Sequence, residues 1–422
     1  MSHDAKATRS FLRTSLMLFV CTNASSVFQF VFQSLMRREL PTGDFSLMNS
    51  AFGTASLTAL PVAIWGQVWV RKFSEMRARG QVGLAFASVR RFSAYALLLA
   101  LAVVGLALGA APALGAFLNT TNTAAVIALA FLLGASVAFP MTGVVFQGMQ
   151  LFGVMSLVAI LGPIVRLTLG LVLIHHGLGA ASGIWATSTA ALVPAVVAAR
   201  LILSRGWFSL PPESGTATTG WRLPDLWVPA AGVAITTILV NTDFVLVQRF
   251  FAKPDADRFA TAAIFGHSMI FFLMPIASVL LPKVVDHFEG WEKSERSVAR
   301  KALALGLGLA LTMALAGTAL APLAFNIFAG ESDPETVALI RWFLWAIIPT
   351  ALACIGISAL VGRLQQRLIL ACLMVSLALP ALIIWRHETV GQILGAHLAV
   401  GVALLAVIVG GNLPRRRSEH RA

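Results

Sequence analysis

Long apolar segments alternate with short polar loops along the whole chain. We count about twelve such segments, each close to the roughly 20 residues that an α-helix needs to cross a bilayer. The first runs from about Leu12 to Met36, and the last is followed by the basic tail Arg415–Arg417. This pattern predicts an all-α polytopic membrane protein with about twelve transmembrane helices.

The two halves of the chain share a spacing of aromatic and proline residues. Sixteen residues separate a phenylalanine from a proline in each half, at Phe45–Pro61 and at Phe259–Pro275, an offset of 214. Two further proline pairs recur at offsets of 210 and 209: Pro112 with Pro322, and Pro140 with Pro349. The repeat predicts two six-helix lobes, which are parallel because six is even. We expect helix kinks at four of these prolines: Pro61, Pro140, Pro275 and Pro349.

A single stretch near the midpoint has the composition of a linker. Residues 206–222 are rich in Pro, Ser, Thr and Gly. We therefore predict an N-terminal lobe over residues 1–205, a cytoplasmic linker over 206–222, and a C-terminal lobe over 223–422 that ends in a basic cytoplasmic tail.

The composition is that of a membrane protein. Hydrophobic residues make up 58% of the chain and charged residues 12%, whereas a soluble domain carries about 25% charged residues. The polar N-terminus runs into the first apolar segment without an A-x-A cleavage pattern, so we expect that segment to be retained. The three cysteines, Cys21, Cys354 and Cys372, are widely spaced in apolar segments and predict neither a disulfide framework nor a metal site.

The net charge of +13 follows the predicted topology. With both termini in the cytoplasm, the cytoplasmic segments hold 23 of the 31 Lys and Arg and the opposite side holds six. The other two, Arg166 and Arg341, fall within spans. Such an excess on the cytoplasmic side is typical of membrane proteins and requires no nucleic-acid partner.

Polar residues of the first span fall on one stripe of a helix. Successive separations are 7, 4, 3 and 4 for Ser15, Thr22, Ser26, Gln29 and Gln33. Two interpretations stay open: the stripe lines a polar cavity, or its members hydrogen-bond to neighbouring helices.

Two arginines lie within predicted spans. Arg166 has about ten span residues on either side, and an arginine at this depth needs an acid, carbonyl groups or a wet cavity. We expect it to face a cavity. Arg341 is accompanied by Trp342 and Trp345 and is interpreted as an interfacial anchor.

One carboxylate, Asp243, also lies inside a span. It shares a helical stripe with Gly232 and Thr236, and the repeat pairs it with Gln29, so we expect these two residues to approach each other across a cavity between the lobes. Asp243 would then either carry a proton through a cycle or act as a fixed counter-charge for Arg166.

Two segments of the chain resemble a known family. The first runs from Asn241 through Asp243 and Arg249, followed by Phe259, His267, Pro275 and Leu281-Pro282-Lys283. The second, in the first half, runs from Arg38 to Phe45 and on to Leu60-Pro61 and Arg71-Lys72. The chain resembles the polysaccharide-transport flippases, the Wzx-like proteins of the superfamily that also contains the MATE drug exporters.

The resemblance implies a function. The substrate would be an undecaprenyl-diphosphate-linked oligosaccharide, flipped across the bacterial inner membrane by rocking of the two lobes for synthesis of O-antigen, lipopolysaccharide or exopolysaccharide. The groups expected to line its path are Arg166, Gln29, Gln33, Ser26, Thr22, Thr236 and Asn241, with Asp243 as the coupling residue. Expected partners are this lipid substrate, membrane lipids, a polysaccharide polymerase and glycosyltransferases.

Two other classes of function stay open. A MATE-like exporter of small amphipathic substrates, coupled to protons or sodium ions, would have the same fold but an acid-lined cavity. A membrane component of polysaccharide assembly without transport activity would use the polar stripes for packing alone. An enzyme is not expected, because the sequence has no HExxH motif and no clustered carboxylates in its short outer loops. We expect neither a metal nor an organic cofactor.

Overall fold

The computed structural model describes residue 21 and residues 24–204, 224–286 and 292–411. Thr22, the whole predicted linker and the basic tail lie outside these residues. Every regular element in the described part of the chain is a helix, which confirms the predicted all-α class.

Fifteen helices follow one another in the described residues. The first, α1, covers residues 24–39. The others in the first half are α2 (Asp44–Thr58), α3 (Leu60–Ala78), α4 (Val82–Gly109), α5 (Ala111–Phe117), α6 (Thr123–Gly148), α7 (Phe152–His175) and α8 (Ala180–Ser204). The second half contains α9 (Pro224–Phe250), α10 (Lys253–Asp286), α11 (Glu292–Ala329), α12 (Pro334–Ala346), α13 (Ile348–Gly362), α14 (Gln366–Trp385) and α15 (Val390–Gly411).

Local sequence explains where several helices begin. The Asn122 side chain accepts a hydrogen bond from the backbone N–H of Ala125 at the start of α6, and Asp333 caps α12 in the same way through Glu335. Gly43 precedes α2 with a φ of 91°, a left-handed conformation that glycine adopts without steric cost.

Eight helical segments in the described residues are long and apolar enough to cross a membrane, and the bent pair α2–α3 makes a ninth. The remaining three of the twelve predicted spans coincide with α1, α8 and α10, which are helical where the structure describes them. The protein is therefore a multi-pass membrane protein.

The four prolines predicted to kink helices occupy different positions in them. Pro61 stands at the start of α3, where the helix axis turns by 45° from α2. Pro349 stands at the start of α13, directly after the interruption that follows α12. Pro140 and Pro275 lie inside the continuous helices α6 and α10.

The chain divides into two compact units at Arg222 and Leu223. The first unit contains residues 1–222 together with residues 247–260 and 325–332, and the second contains the rest. In the first unit α6 packs against α3, α4 and α8, and Phe73 and Phe92 are buried where α3, α4 and α6 meet. In the second unit α15 packs against α13 and α14.

Candidate functional site

Arg166 on α7 contacts two aromatic rings of the first unit. Its guanidinium carbon is 4.1 Å from the ring centroid of Phe32 on α1 and 4.6 Å from that of Phe52 on α2. Stacking of a guanidinium on aromatic rings is favourable because the ring faces carry negative charge. The position of Arg166 is therefore set by packing against two helices.

The guanidinium of Arg166 has no hydrogen-bond acceptor among the residues that the structure describes. Its buried Nε has no acceptor, and the guanidinium forms no hydrogen bond or ion pair with any residue that the structure describes. Its described contacts are to two aromatic rings, which accept no N–H hydrogen bond of normal strength, so its N–H groups are left to bind a ligand. A planar fork of N–H donors is suited to the oxygens of a phosphate or carboxylate.

The polar stripe on α1 was expected either to line a cavity or to hydrogen-bond to neighbouring helices, and its described residues differ in their contacts. Gln33 donates from Nε2 to Oδ1 of Asn49 on α2 at 3.0 Å, while its buried Oε1 has no partner in the described residues. Gln33 thus makes a helix-to-helix contact through its amide nitrogen, while its amide oxygen has no described partner. Gln29 and Ser26, one and two turns earlier, are exposed, and their place on a substrate path stays a prediction.

Asp243 on α9 lies at the centre of a buried cluster in the second unit. Its Oδ2 is 3.1 Å from Nε2 of His397 on α15 and 3.2 Å from Nε2 of His267 on α10. Its Oδ1 accepts the backbone N–H of Phe244 at 2.8 Å. Asp243 has no exposed surface, and the two histidines are 3% and 1% exposed.

These contacts differ from the cavity-lining position expected for Asp243, whose coupling role stays a prediction. We predicted that it lines a cavity on one stripe with Gly232 and Thr236, but its carboxylate is enclosed by two imidazoles. A Cβ on Gly232 would lie 2.7 Å from Val361, so that position faces α13. Thr236 donates to the carbonyl of Gly232, and Asn241 to the carbonyl of Thr237, so both polar groups bond to their own helix.

A second carboxylate, Asp257, joins two segments of the first unit. It accepts the backbone N–H groups of Gly43 at 2.5 Å and of Ser46 at 2.8 Å, at the start of α2. Burial raises the pKa of this carboxyl, while the two N–H donors and nearby Arg37 oppose that rise. Asp257 belongs to the charged segment between two predicted spans, where it fixes the turn before α2.

Comparison with known proteins bears on the fold. No protein-family model matches the chain, and no curated protein does. An inward-facing multidrug resistance MATE transporter of the MOP superfamily is similar, with 13% identity over 92% of this chain and 93% of that one and a TM-score of 0.72. The chain has a MATE-like fold.

Two further structures with the MATE-like fold are similar over most of their length. The lipid II flippase MurJ in an inward closed conformation is 14% identical over 93% of this chain and 86% of its own, with a TM-score of 0.66. A MOP superfamily transporter from Pyrococcus furiosus is 14% identical over 95% and 94%, with a TM-score of 0.62. These neighbours are transporters and flippases rather than enzymes.

Sequence reasoning missed several contact residues that the MATE-like fold brings together. Asn49 and Phe52 lie on α2 and have no unusual sequence context. His397, however, stands in the middle of the apolar α15. An ionisable residue within a span is expensive and normally has a partner, so this histidine could have been identified as a candidate together with His267.

Proposed function

We propose that the protein flips an undecaprenyl-diphosphate-linked oligosaccharide across the bacterial inner membrane by alternating access, for synthesis of a surface polysaccharide. The observation that carries the proposal is Arg166, whose guanidinium contacts two phenylalanine rings and has no acceptor in the described part of the chain. The resemblance of its sequence to polysaccharide flippases supports the same substrate.

The chemistry of the substrate requires such a group. A sugar diphosphate cannot enter hydrocarbon without polar partners, because each unsatisfied polar group costs several kcal/mol there. A guanidinium beside two phenylalanine rings is poorly screened by water, so its attraction for a phosphate is stronger than at an exposed surface. Arg166 is thus a binding group for the diphosphate.

Hydroxyl and amide groups would contact the sugars. On the same two helices as the rings, Gln33 follows Phe32 directly and Asn49 precedes Phe52 by three residues. We assign Gln33, Ser26 and Gln29 to this path, together with Thr22. Thr236 and Asn241 are retained as path residues that would have to exchange a bond within their helix for one to the sugar.

The rival function is export of small amphipathic cations, and one cavity favours it. A cavity of about 360 Å³ in the first unit is lined by Glu39 and Asp44, with Pro41, Asn122, Ala124, Ile174, Gly177, Leu178 and Gly179. Its volume is within the range of ligand sites. However, Asp44 already accepts the backbone N–H of Ala180 at 2.9 Å, which leaves Glu39 as the carboxylate available to a cation.

The polarity of the substrate site is the property that separates the two functions. For the Pyrococcus furiosus neighbour, reverse polarity of the binding pocket is reported to suggest a different function. In this chain the partner-free charge within a span is a cation, Arg166, as judged from the residues that the structure describes. An anionic head group is therefore the better ligand.

The first prediction tests Arg166 by measuring binding of a polyprenyl diphosphate to the purified protein. Each charge-assisted hydrogen bond contributes about 1.5–3 kcal/mol, so Arg166→Gln should weaken binding about 10- to 100-fold. Arg166→Lys should restore only part of it, because an ammonium group presents a point charge instead of a fork.

The matched control is Arg341→Gln. Arg341 also lies within a predicted span, but its Nε donates to the carbonyl of Thr318 at 3.0 Å and its side chain is exposed. Binding should be unchanged in this variant. Normal binding and flipping by Arg166→Gln would contradict the proposal. Vesicles that move an organic cation, but not the lipid-linked sugar, would establish the exporter instead.

A further inference from the structure

We propose that Asp243, His267 and His397 form a binding site for one divalent transition-metal ion of the Zn²⁺ class. The three residues come from α9, α10 and α15 of the second unit and are all buried. In the described part of the chain they are the only group of three His, Cys, Asp or Glu side chains whose donor atoms converge in this way.

The spacing of the donor atoms fits a metal. Both Nε2 atoms lie 3.1–3.2 Å from the same carboxylate oxygen, and the three donor atoms are all within 4.8 Å of one another. Tetrahedral Zn²⁺ binds nitrogen and oxygen at about 2.0–2.2 Å, which places neighbouring ligands about 3.3 Å apart. The carboxylate oxygen is therefore at nearly the required separation from each imidazole nitrogen, the two nitrogens lie within 4.8 Å of each other, and a fourth position is left for water.

The direction of the His267 ring also favours an ion over direct pairing alone. Its Nε2 is 3.2 Å from Oδ2 of Asp243, yet it makes no hydrogen bond of acceptable geometry. Nε2 of His267 is thus close to the oxygen without a hydrogen bond, whereas Nε2 of His397 makes one to the same oxygen. A metal ligand is directed at the ion that it shares with its neighbours, and not at another ligand.

The types of donor select the ion. Imidazole nitrogen suits Zn²⁺, Fe²⁺, Co²⁺ and similar ions, whereas sodium-like and magnesium-like hard cations take oxygen ligands. Two imidazoles and one carboxylate are the ligand set of many zinc sites with an open fourth position. This set does not suit the sodium coupling considered from the sequence.

The surroundings of the cluster supply a reason for a bound cation. The rings of Phe244 and Phe343 pack edge-on to His267, with centroids 5.5 and 5.3 Å away, and Phe343 also packs against His397. A carboxylate enclosed by apolar rings costs several kcal/mol unless a positive charge accompanies it. A resident metal supplies that charge, and it makes Asp243 a fixed ligand that ties α9 to α10 and α15.

The second prediction concerns the metal content of the full-length protein, purified in detergent from cells grown with added zinc. Elemental analysis should find about one zinc per chain. Loss of an outer-shell partner alone weakens metal affinity 10- to 100-fold, so His267→Gln and His397→Gln, which remove a ligand, should each lose at least about 100-fold. Cobalt-loaded wild type should show the visible absorption of tetrahedral Co²⁺, and both variants should lack it.

The control is the double substitution of His175 and His176 by Gln, since these two histidines lie at the end of α7 in the first unit. This variant should keep its zinc. If the His267 and His397 variants fail to fold, wild type decides the matter: chelation should remove one metal and lower its melting temperature, because the ion binds only the folded chain. Wild type without zinc or a tetrahedral cobalt spectrum would overturn the proposal, as would zinc retained by His267→Gln.

Discussion

Arg166 and Arg341 both lie within predicted spans, but their side chains make different contacts and therefore offer different chemistry. Arg341 bonds to the carbonyl of Thr318, and Trp345 donates to the hydroxyl of the same threonine at 3.0 Å. Arg166 instead meets two phenylalanine rings and no acceptor in the described residues. A charge that packing positions without neutralising it is available to a ligand.

Gly170 on α7 packs closely against Phe32, one of the two rings that contact Arg166. A Cβ added to Gly170 would lie 2.8 Å from Cε2 of Phe32 and 3.2 Å from Cε of Met36. The first distance is shorter than atoms tolerate, so the ring would have to move. Gly170 therefore permits Phe32 to lie where it covers the guanidinium.

The third prediction follows from this contact. Gly170→Ala should displace the Phe32 ring, cost about 1–3 kcal/mol of folding stability through overpacking, and weaken binding of the polyprenyl diphosphate several-fold. Melting temperature and binding are measured together. Gly153→Ala on the same helix meets nothing within 4 Å and serves as the control. Unchanged binding in Gly170→Ala would mean that Phe32 does not hold Arg166 in place.

The start of α2 is fixed by contacts from two parts of the first unit. The left-handed Gly43 allows the chain to turn, and Asp257 accepts two of the backbone N–H groups that a helix start leaves unpaired. Negative charge at a helix N-terminus is favourable because the helix dipole is positive there. One carboxylate thus both caps α2 and holds it to α10.

The fourth prediction concerns the removal of that carboxylate. Asp257→Ala leaves the N–H groups of Gly43 and Ser46 without their acceptor, at about 1–3 kcal/mol for each buried group, so the melting temperature should fall. Asp255→Ala is the control, because Asp255 pairs with Arg258 at 3.4 Å and is partly exposed. An equal effect of both substitutions would argue against the capping role.

The difference in melting temperature between wild type and Asp257→Ala should also depend on pH. Burial raises the pKa of Asp257, so the folded chain holds its proton more tightly than the unfolded chain does. The tighter binding of this proton in the folded chain adds to the free energy of unfolding. That contribution is complete at pH values below the unfolded pKa of about 3.9, and it is lost as the pH rises through the folded pKa. The difference in melting temperature between wild type and Asp257→Ala should be largest at the acid end. A difference that grows with pH would show that the hydrogen bonds outweigh burial.

At the scale of the whole molecule, periodic apolar segments were enough to predict the helical class. Each span needs its own run of apolar residues, and that requirement is local in the sequence. The contacts of the candidate sites are not local. Asp243 was noticed as an acid within a span, but the pairing with His397 joins residues 154 positions apart and depends on how α9 and α15 pack. The two rings around Arg166 were likewise unforeseen.

The fifth prediction tests the orientation, which the sequence predicts from its basic residues. In a functional protein without native cysteines, a cysteine at Ser88 should react with an impermeant reagent only from the cytoplasm, and one at Thr121 only from outside. The 23-to-6 distribution of Lys and Arg is the reason. Labelling of both positions from the same side would contradict a model with both termini in the cytoplasm.

The discontinuous first unit has a consequence for how the protein is made. Residues 247–260 and 325–332 belong to this unit, so it is still incomplete when the ribosome has produced residues 1–222. The N–H groups of Gly43 and Ser46 have no hydrogen bond to Asp257 until that residue has been synthesised. Ser34 and Arg38 likewise lack the carbonyl of Phe328, to which both donate in the folded chain. The early helices must therefore persist in the membrane as an unfinished assembly until α11 has been inserted.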